Sequence, residues 1–186
     1  MSATSSRYRF TVSAARLSYL VEQYKRLHLP KWVEERDFFK NASAETALEH
    51  AGLAKWKDGK RLRHQNLIVR GALPKARRAL ETIKHKLDGL TKFDKLHTLI
   101  EQTVDDIFGI GELYVYDTAL RLGANHGVTP ERVYMHAGPR KATRSLGGID
   151  YRAKSVDVSE FPPELQKLPA AQIENFLCTM RRDFHG

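Results

Sequence analysis

Apolar residues recur along this chain at spacings of three and four, the period that places side chains on one face of an α-helix. One such stripe predicts a helix over 13–28 that ends before Pro30, and another predicts a helix over 169–181. No stretch of any length shows the alternation of a β-strand, and no segment repeats. We therefore predict an all-α protein, a compact multi-helix domain over residues 1–186. The first stripe consists of Leu17, Leu20, Val21 and Tyr24.

Capping residues and prolines mark where the internal helices should begin. Ser43 has the character of an N-cap, following a short helix around 32–39. Pro74 fits the first turn of a helix over 74–87. The sequence TKFD at 91–94 resembles a capping box, with Asp in place of the usual Glu or Gln.

The helix after TKFD should run to about Ile107, and a second helix is expected over 112–122. Thr129-Pro130-Glu131 predicts a further helix start, since threonine caps and proline suits the first turn. A helix is predicted from Pro139 to Leu146, and an irregular stretch with a short strand at VDV is predicted over 147–160. A C-terminal strap and helix are expected over 161–186, with Phe161 and Leu165 as the anchor of the strap.

The basic residues of the chain are concentrated in one segment. The chain has 31 basic and 22 acidic residues, a formal net charge of +9, and the segment 55–86 carries an equal excess while the remainder is neutral. A concentrated basic segment favours a polyanionic ligand, most commonly nucleic acid. Lysine-rich helix faces that only meet solvent are the alternative. The basic residues are Lys55, Lys57, Lys60, Arg61, Arg63, Arg70, Lys75, Arg77, Arg78, Lys84 and Lys86.

Composition and motifs argue against a membrane protein, a disulfide-linked protein and a protein with a metal or cofactor. No apolar run approaches the roughly 20 residues that span a bilayer, and the first residues lack a long apolar core. We therefore expect a cytoplasmic protein that does not enter a membrane. The single cysteine, Cys178, excludes an internal disulfide and a thiolate cluster, and its apolar neighbours predict a packed thiol. Since phosphate loops and paired metal-binding histidines are also absent, we expect no cofactor and no metal.

The junction FGIG, residues 108–111, places two glycines around one isoleucine between two predicted helices. Glycine permits a very short turn and lets a ligand approach the backbone closely. The first N–H groups of the following helix lack internal partners and lie at the positive end of its dipole. Such a turn can hold a backbone phosphate without reading sequence. A packing corner between two helices, without a ligand, is the alternative.

Residues 92–123, with FGIG followed by ELYVYDTALRLG, resemble the helix-hairpin-helix motif of DNA-repair and DNA-processing proteins. The resemblance implies that Gly109, Ile110 and Gly111 form the phosphate-binding turn, with Ile110 buried between the helices. Glu112 places a carboxylate where a phosphate should approach, and Asp105, Asp106 and Asp117 make this neighbourhood acidic. A DNA site here therefore requires the segment 55–86 to fold beside the hairpin.

In outline the resemblance extends to residue 146 and to the helix-hairpin-helix DNA glycosylases. Leu113 stands where some of those enzymes carry a lysine nucleophile, and their catalytic aspartate has no counterpart after the second helix. A member that binds DNA without cutting it therefore fits best. A glycosylase-type enzyme acting on modified bases, with Tyr134 and His136 in its pocket, is the alternative.

We accordingly predict sequence-independent binding of DNA, most simply duplex DNA, through backbone phosphates. In the stretch KRLRHQNLIVR, His64 and Gln65 are further candidates for phosphate contacts. Arg140, Lys141 and Arg144, which follow the HAGP turn, form a second candidate patch. A protein-interaction module whose basic face meets an acidic partner is the remaining alternative.

Overall fold

Helices dominate the secondary structure, which is taken from a computed structural model that describes residues 10–69 and 71–185. The all-α prediction is confirmed. The helices in the described residues are α1 (Ala14–Leu27), α2 (Leu29–Asn41), α3 (Ala44–Gly52), α4 (Ala72–Thr82), α5 (Lys84–Leu87), α6 (Phe93–Val104), α7 (Glu112–Asn125), α8 (Ala137–Leu146) and α9 (Ala170–Met180). Two short strands, β1 (Val133–Tyr134) and β2 (Ser155–Val156), pair antiparallel, with Val133 opposite Val156.

The chain packs as two compact units, each with its own interior. The terminal unit comprises the described residues up to Pro30 and from Glu131 onward, and the middle unit comprises Lys31–Pro130. The expectation of one domain over 1–186 stays a prediction.

The core of the terminal unit is formed by α1, α8, α9 and the small sheet. The predicted stripe of α1 is buried, and Tyr24 meets Phe176 of α9 edge-on at 5.7 Å between ring centroids. Phe161 and Leu165 are buried in the same core, so the predicted strap is anchored inside this unit. The apolar face of α9 is likewise buried against its own chain.

In the middle unit, α6 and α7 pack on each other and on α3 and α4. The Tyr114 hydroxyl of α7 donates a hydrogen bond of 2.8 Å to the carbonyl of Gly52 at the end of α3. Near its other end α7 is tied to α2, since the Asn125 amide donates to the carbonyls of Phe39 and Ala42 at 2.9 and 2.8 Å. These contacts attach α7, which follows the glycine hairpin, to α2 and α3.

Some predicted helix starts are confirmed and others are wrong. Ser43 caps α3 by accepting a hydrogen bond from the backbone N–H of Thr46. The capping box at 91–94 does not form, because Lys92 is the N-cap of α6 and no side chain caps that helix. Pro30 lies in the first turn of α2 instead of in the break before it, a position that tolerates proline because no N–H is needed there.

Two further boundaries differ from the prediction. The helix predicted over 74–87 is interrupted at Ile83, whose φ of −106° and ψ of 3° separate α4 from α5. No helix begins at Pro130, because the chain there is extended and leads into β1, whose pairing with β2 outweighs the local capping signal. Among the described helices, none combines the length and apolar character needed to cross a membrane.

Candidate nucleic-acid interface

The turn between α6 and α7 depends on glycine at one position and is open to solvent at another. Gly109 has a φ of +91°, in the left-handed region that favours glycine. Gly111 is extended and is the N-cap of α7, without a capping side chain. A Cβ on Gly111 would meet no atom within 4 Å, so the backbone at the start of α7 is accessible. Ile110, which the resemblance makes the buried anchor between the helices, is partly buried.

The basic segment folds directly beside this hairpin. A Cβ on Gly109 would lie 2.7 Å from Cγ2 of Val69 and 2.8 Å from its Cβ. Next to Val69, the Ile68 carbonyl accepts a hydrogen bond of 3.1 Å from Nη2 of Arg61. The structure therefore places a cation of the segment 55–86 next to the phosphate-binding turn that the sequence predicts.

Three apolar side chains are exposed in these two stretches. Phe108, at the hairpin turn, is 88% exposed, and Leu67 is 97% exposed. Val69 is also exposed on the side that does not contact Gly109. Large apolar side chains of this exposure, concentrated in two stretches that touch each other, are typical of a binding surface.

A cleft of about 240 Å³ opens beside Val69. It combines an apolar floor with the side chains of Lys55 and Arg61, which are held opposite each other by an antiparallel β-bridge. Gly71, the N-cap residue of α4, also borders the cleft. The residues that line it are Leu53, Lys55, Gly59, Arg61, Val69, Gly71, Leu73 and Pro74.

Carboxylates from inside and outside the segment pair with many of its cations. The nearest nitrogen–oxygen distances are 3.7 Å for Lys55 and Glu49, 2.5 Å for Lys57 and Glu34, 3.6 Å for Lys60 and Asp58, 2.9 Å for Arg77 and Glu49, and 2.6 Å for Lys84 and Glu81. Among the described residues, Arg78 has no carboxylate within ion-pair distance. Arg70 and the side chain of Arg63 lie outside what the structure describes. Since exposed pairs of this kind are weak, phosphate can replace the carboxylates.

His64 and Gln65 bind a carboxylate of the hairpin's second helix. Nε2 of His64 lies 2.8 Å from Oδ2 of Asp117, and the Gln65 amide donates to the same oxygen at 2.5 Å. The His64 side chain nevertheless remains 47% exposed. These contacts attach the basic segment to α7 at a second point, besides the contact of Val69 with Gly109.

Arg121 neutralises Asp117 from within α7. The Arg121 side chain is 4% exposed, and its Nη2 lies 3.5 Å from Oδ2 of Asp117 while its Nε donates to Glu35 at 2.9 Å. Burial alone would raise the pKa of Asp117, but the charge of Arg121 and the contacts of His64 and Gln65 lower it from 3.8 to about 2. Asp117 is therefore ionised and compensated, and does not present an uncompensated charge to a phosphate.

The role of Asp117 in holding the basic segment does not follow from the sequence, in which it is only one of the acidic residues near the turn. The i,i+4 spacing of Asp117 and Arg121 on one helix was the available signal. The contribution of His64 and Gln65 has no such signal, because they lie more than fifty residues away in the sequence.

The second candidate patch belongs to the terminal unit. Lys141 and Arg144 are exposed on α8, and Arg140 is partly buried. Cζ of Arg144 lies 4.7 Å from the centroid of the Tyr151 ring, and Cζ of Arg152 lies 5.6 Å from it. A hydrogen bond and the charge of Arg152 lower the pKa of Tyr151, and the charge of Arg144 lowers it further. The patch thus combines cations with an aromatic ring.

The two pocket candidates, Tyr134 and His136, are buried in the terminal unit. Tyr134 lies in β1, and His136 is the N-cap residue of α8. Nε2 of His136 lies 2.7 Å from Oε1 of Glu174 on α9, a partner that the sequence pattern does not reveal. A role for either residue in binding a base stays a prediction.

Comparison with known proteins adds no assignment. No protein-family profile matches the chain, and neither the curated proteins nor the solved structures contain a significant match.

Proposed function

We propose that the middle unit binds DNA through backbone phosphates, without reading sequence, at a surface formed by the glycine hairpin and the adjoining basic segment. The observation that carries the proposal is the packing of Val69 on Gly109. This contact brings the basic segment beside the accessible amides at the start of α7. From the sequence alone, that proximity was a requirement for a DNA site at the hairpin.

The chemistry of this surface suits a phosphodiester backbone. At the start of α7, backbone N–H groups without helical partners lie at the positive end of the helix dipole. Gly111 carries no side chain that would keep a phosphate away from them. Lys55 and Arg61, beside Val69, supply long side chains that can reach neighbouring phosphates.

The compensation of Asp117 removes an electrostatic objection to this assignment. Its carboxylate is held by Arg121, His64 and Gln65, so this acidic neighbour of the turn fixes the basic segment on α7. The carboxylates of Glu112, Asp105 and Asp106 remain exposed beside the turn, and the cations of the basic segment have to outweigh them. Phe108 adds an exposed aromatic ring at the turn itself. An aromatic ring beside a phosphate-binding turn can stack on a base of any identity, which agrees with binding that ignores sequence.

The test is fluorescence anisotropy of the full chain with labelled duplex and single-stranded DNA over a series of salt concentrations. For duplex DNA, the logarithm of the binding constant should fall with the logarithm of salt, with a slope of about −0.9 for each phosphate contacted. Several unrelated sequences should bind with equal affinity. Absence of binding to either DNA at low salt would refute the proposal.

A polyglutamate competitor distinguishes DNA binding from attraction to any acidic partner. If the site recognises phosphates through backbone amides and cations together, polyglutamate at equal charge should displace duplex DNA only weakly. Equal displacement by the two polyanions would favour a protein-interaction module with a basic face instead.

A further inference from the structure

Three side chains with metal-binding atoms meet inside the terminal unit. His136 follows β1 at the start of α8, while Glu174 and Cys178 lie one turn apart on α9. Nε2 of His136 is 2.7 Å from Oε1 of Glu174, and Sγ of Cys178 donates to the same oxygen at 3.0 Å. The three potential ligand atoms all lie within 4.8 Å of one another.

The start of α8 is shaped to let the sulfur approach. A Cβ on Gly138 would lie 2.6 Å from Sγ of Cys178 and 3.6 Å from Cε1 of His136. A residue with a Cβ at this position would therefore displace the sulfur from its present place. The absence of a side chain at Gly138 leaves room for both the imidazole of His136 and the thiol of Cys178.

The buried carboxylate at the centre of this cluster needs a positive charge. Glu174 and His136 are buried, and within the described part of the chain the only ion-pair partner of Glu174 is His136, which carries a charge only when it is protonated. An ionised carboxylate in an apolar interior is costly unless a cation compensates it. Burial is the main cause that raises the pKa of Tyr24, and the nearby charge of Glu174 raises it further. Within the described residues the buried Tyr24 hydroxyl makes no hydrogen bond.

We propose that His136, Glu174 and Cys178 bind a divalent transition-metal ion, for which Zn²⁺ is the best chemical match. One imidazole nitrogen, one carboxylate oxygen and one thiolate sulfur are the three ligand types that zinc accepts. Tetrahedral geometry with bonds of about 2.0–2.3 Å places neighbouring ligand atoms about 3.3–3.6 Å apart. The distances of 2.7 and 3.0 Å from the Glu174 oxygen are shorter than this, so both contacts would open slightly on binding, while the ligand atoms of His136 and Cys178 already lie within 4.8 Å of each other.

Binding replaces the hydrogen bonds of the cluster with metal–ligand bonds. The Cys178 thiol gives up its proton to solvent and coordinates as thiolate, and the imidazole coordinates through its neutral nitrogen. Three protein ligands leave the fourth position for water or another ligand. This proposal does not rest on the proposed DNA binding, and its test contains no nucleic acid.

The first experiment is a titration of the chelator-treated full chain with Co²⁺, followed by absorption spectroscopy. Because Cys178 is the only cysteine in the sequence, a thiolate-to-cobalt charge-transfer band can arise from this residue alone. We expect the band to saturate at one equivalent, Zn²⁺ to abolish it, and Zn²⁺ to raise the Tm. Absence of the band, or a band that does not saturate at one equivalent, would overturn the proposal.

A variant of the central ligand separates the site from chance binding at a thiol. Glu174→Gln keeps the shape of the side chain and its contact with His136 but removes the anionic ligand, and should weaken Co²⁺ binding by at least about tenfold. His185→Ala, at an exposed histidine near the C-terminus, is the matched control and should leave binding unchanged. If Glu174→Gln binds Co²⁺ as the wild type does, the cluster is a hydrogen-bonded core and not a metal site. If Glu174→Gln fails to fold, the proposal is judged on the wild type alone, by saturation of the charge-transfer band at one equivalent of Co²⁺ and by the rise in Tm with Zn²⁺.

Discussion

Val69 packs against the backbone of Gly109 so closely that an added Cβ would lie 2.7 Å from its Cγ2. This contact connects a stretch of the basic segment with the turn between α6 and α7. A local sequence pattern cannot reveal it, since forty residues separate the two partners. Because of this contact, the basic segment lies beside the hairpin.

Gly109→Ala should destabilise the protein by about 2–5 kcal/mol. The φ of +91° costs a residue with a Cβ about 1–2 kcal/mol, and overpacking against Val69 adds about 1–3 kcal/mol. Urea denaturation measures the change. Adding Val69→Ala should recover the steric part but not the backbone part, so the double variant should be more stable than the sum of the single effects predicts. Strict additivity would mean that the two residues do not touch.

Gly111→Val should have the opposite profile, with little effect on stability and a large effect on DNA. The backbone at Gly111 is extended and an added Cβ meets no atom within 4 Å, so we expect only the cost of a poorer N-cap residue, a change in unfolding free energy within about 1 kcal/mol. The valine side chain would block the approach of a phosphate to the start of α7. Anisotropy with duplex DNA should show at least a tenfold loss of affinity, about 1.4 kcal/mol. Unchanged affinity would identify the hairpin as a packing corner.

Asp117→Asn should destabilise the middle unit in a pH-dependent manner. The pKa of Asp117 is lowered from 3.8 to about 2, which at about 1.4 kcal/mol per pKa unit corresponds to about 2–3 kcal/mol of stability. A lowered pKa contributes stability above the unfolded value near 3.8, and this contribution is lost as pH falls towards 2. The stability difference between wild type and variant should therefore be full at pH 6 and shrink below pH 4.

Asp106→Asn is the matched control for this measurement, because Asp106 is an exposed acidic residue in the turn after α6. Its unfolding free energy should follow the wild type within about 0.5 kcal/mol at every pH. A destabilisation by Asp117→Asn that stays constant from pH 6 to pH 2 would contradict the proposed charge compensation.

Phe108→Ala should weaken DNA binding without weakening the fold. The ring is 88% exposed, so its removal should change the unfolding free energy by no more than about 0.5 kcal/mol. If the ring stacks on a base, the loss of binding free energy should be about 1–3 kcal/mol and larger for single-stranded DNA, whose bases are accessible. Tyr19→Ala, at another exposed aromatic residue, is the control and should bind both DNAs normally. Equal affinities of Phe108→Ala and wild type would exclude stacking by this ring.

The sequence predicts the helices well wherever the apolar stripe is long. The stripes of α1 and α9 are buried as expected, because burial of a continuous apolar face determines these helices. Predictions from capping residues alone are less secure. The signal at Thr129-Pro130 is overridden by strand pairing, and TKFD opens a helix without forming its capping box.

The candidate site was predictable in its parts and not in its assembly. The glycine turn and the basic segment are both visible in the sequence, as is the i,i+4 pair of Asp117 and Arg121. The contacts of His64 with Asp117 and of His136 with Glu174 join residues far apart in the chain. Such contacts depend on tertiary packing, which no local pattern encodes.

The most direct test compares two charge-matched double variants in binding to labelled duplex DNA at one moderate salt concentration. Lys55→Gln/Arg61→Gln removes two cations beside the hairpin and keeps their polar side chains, while Lys92→Gln/Lys95→Gln removes two exposed cations at the opposite end of α6. We predict at least a tenfold loss of affinity for the first variant and less than a threefold loss for the second, with both folded by circular dichroism. Equal losses in the two variants would contradict a single site at the hairpin and would indicate diffuse attraction by the net charge of the protein.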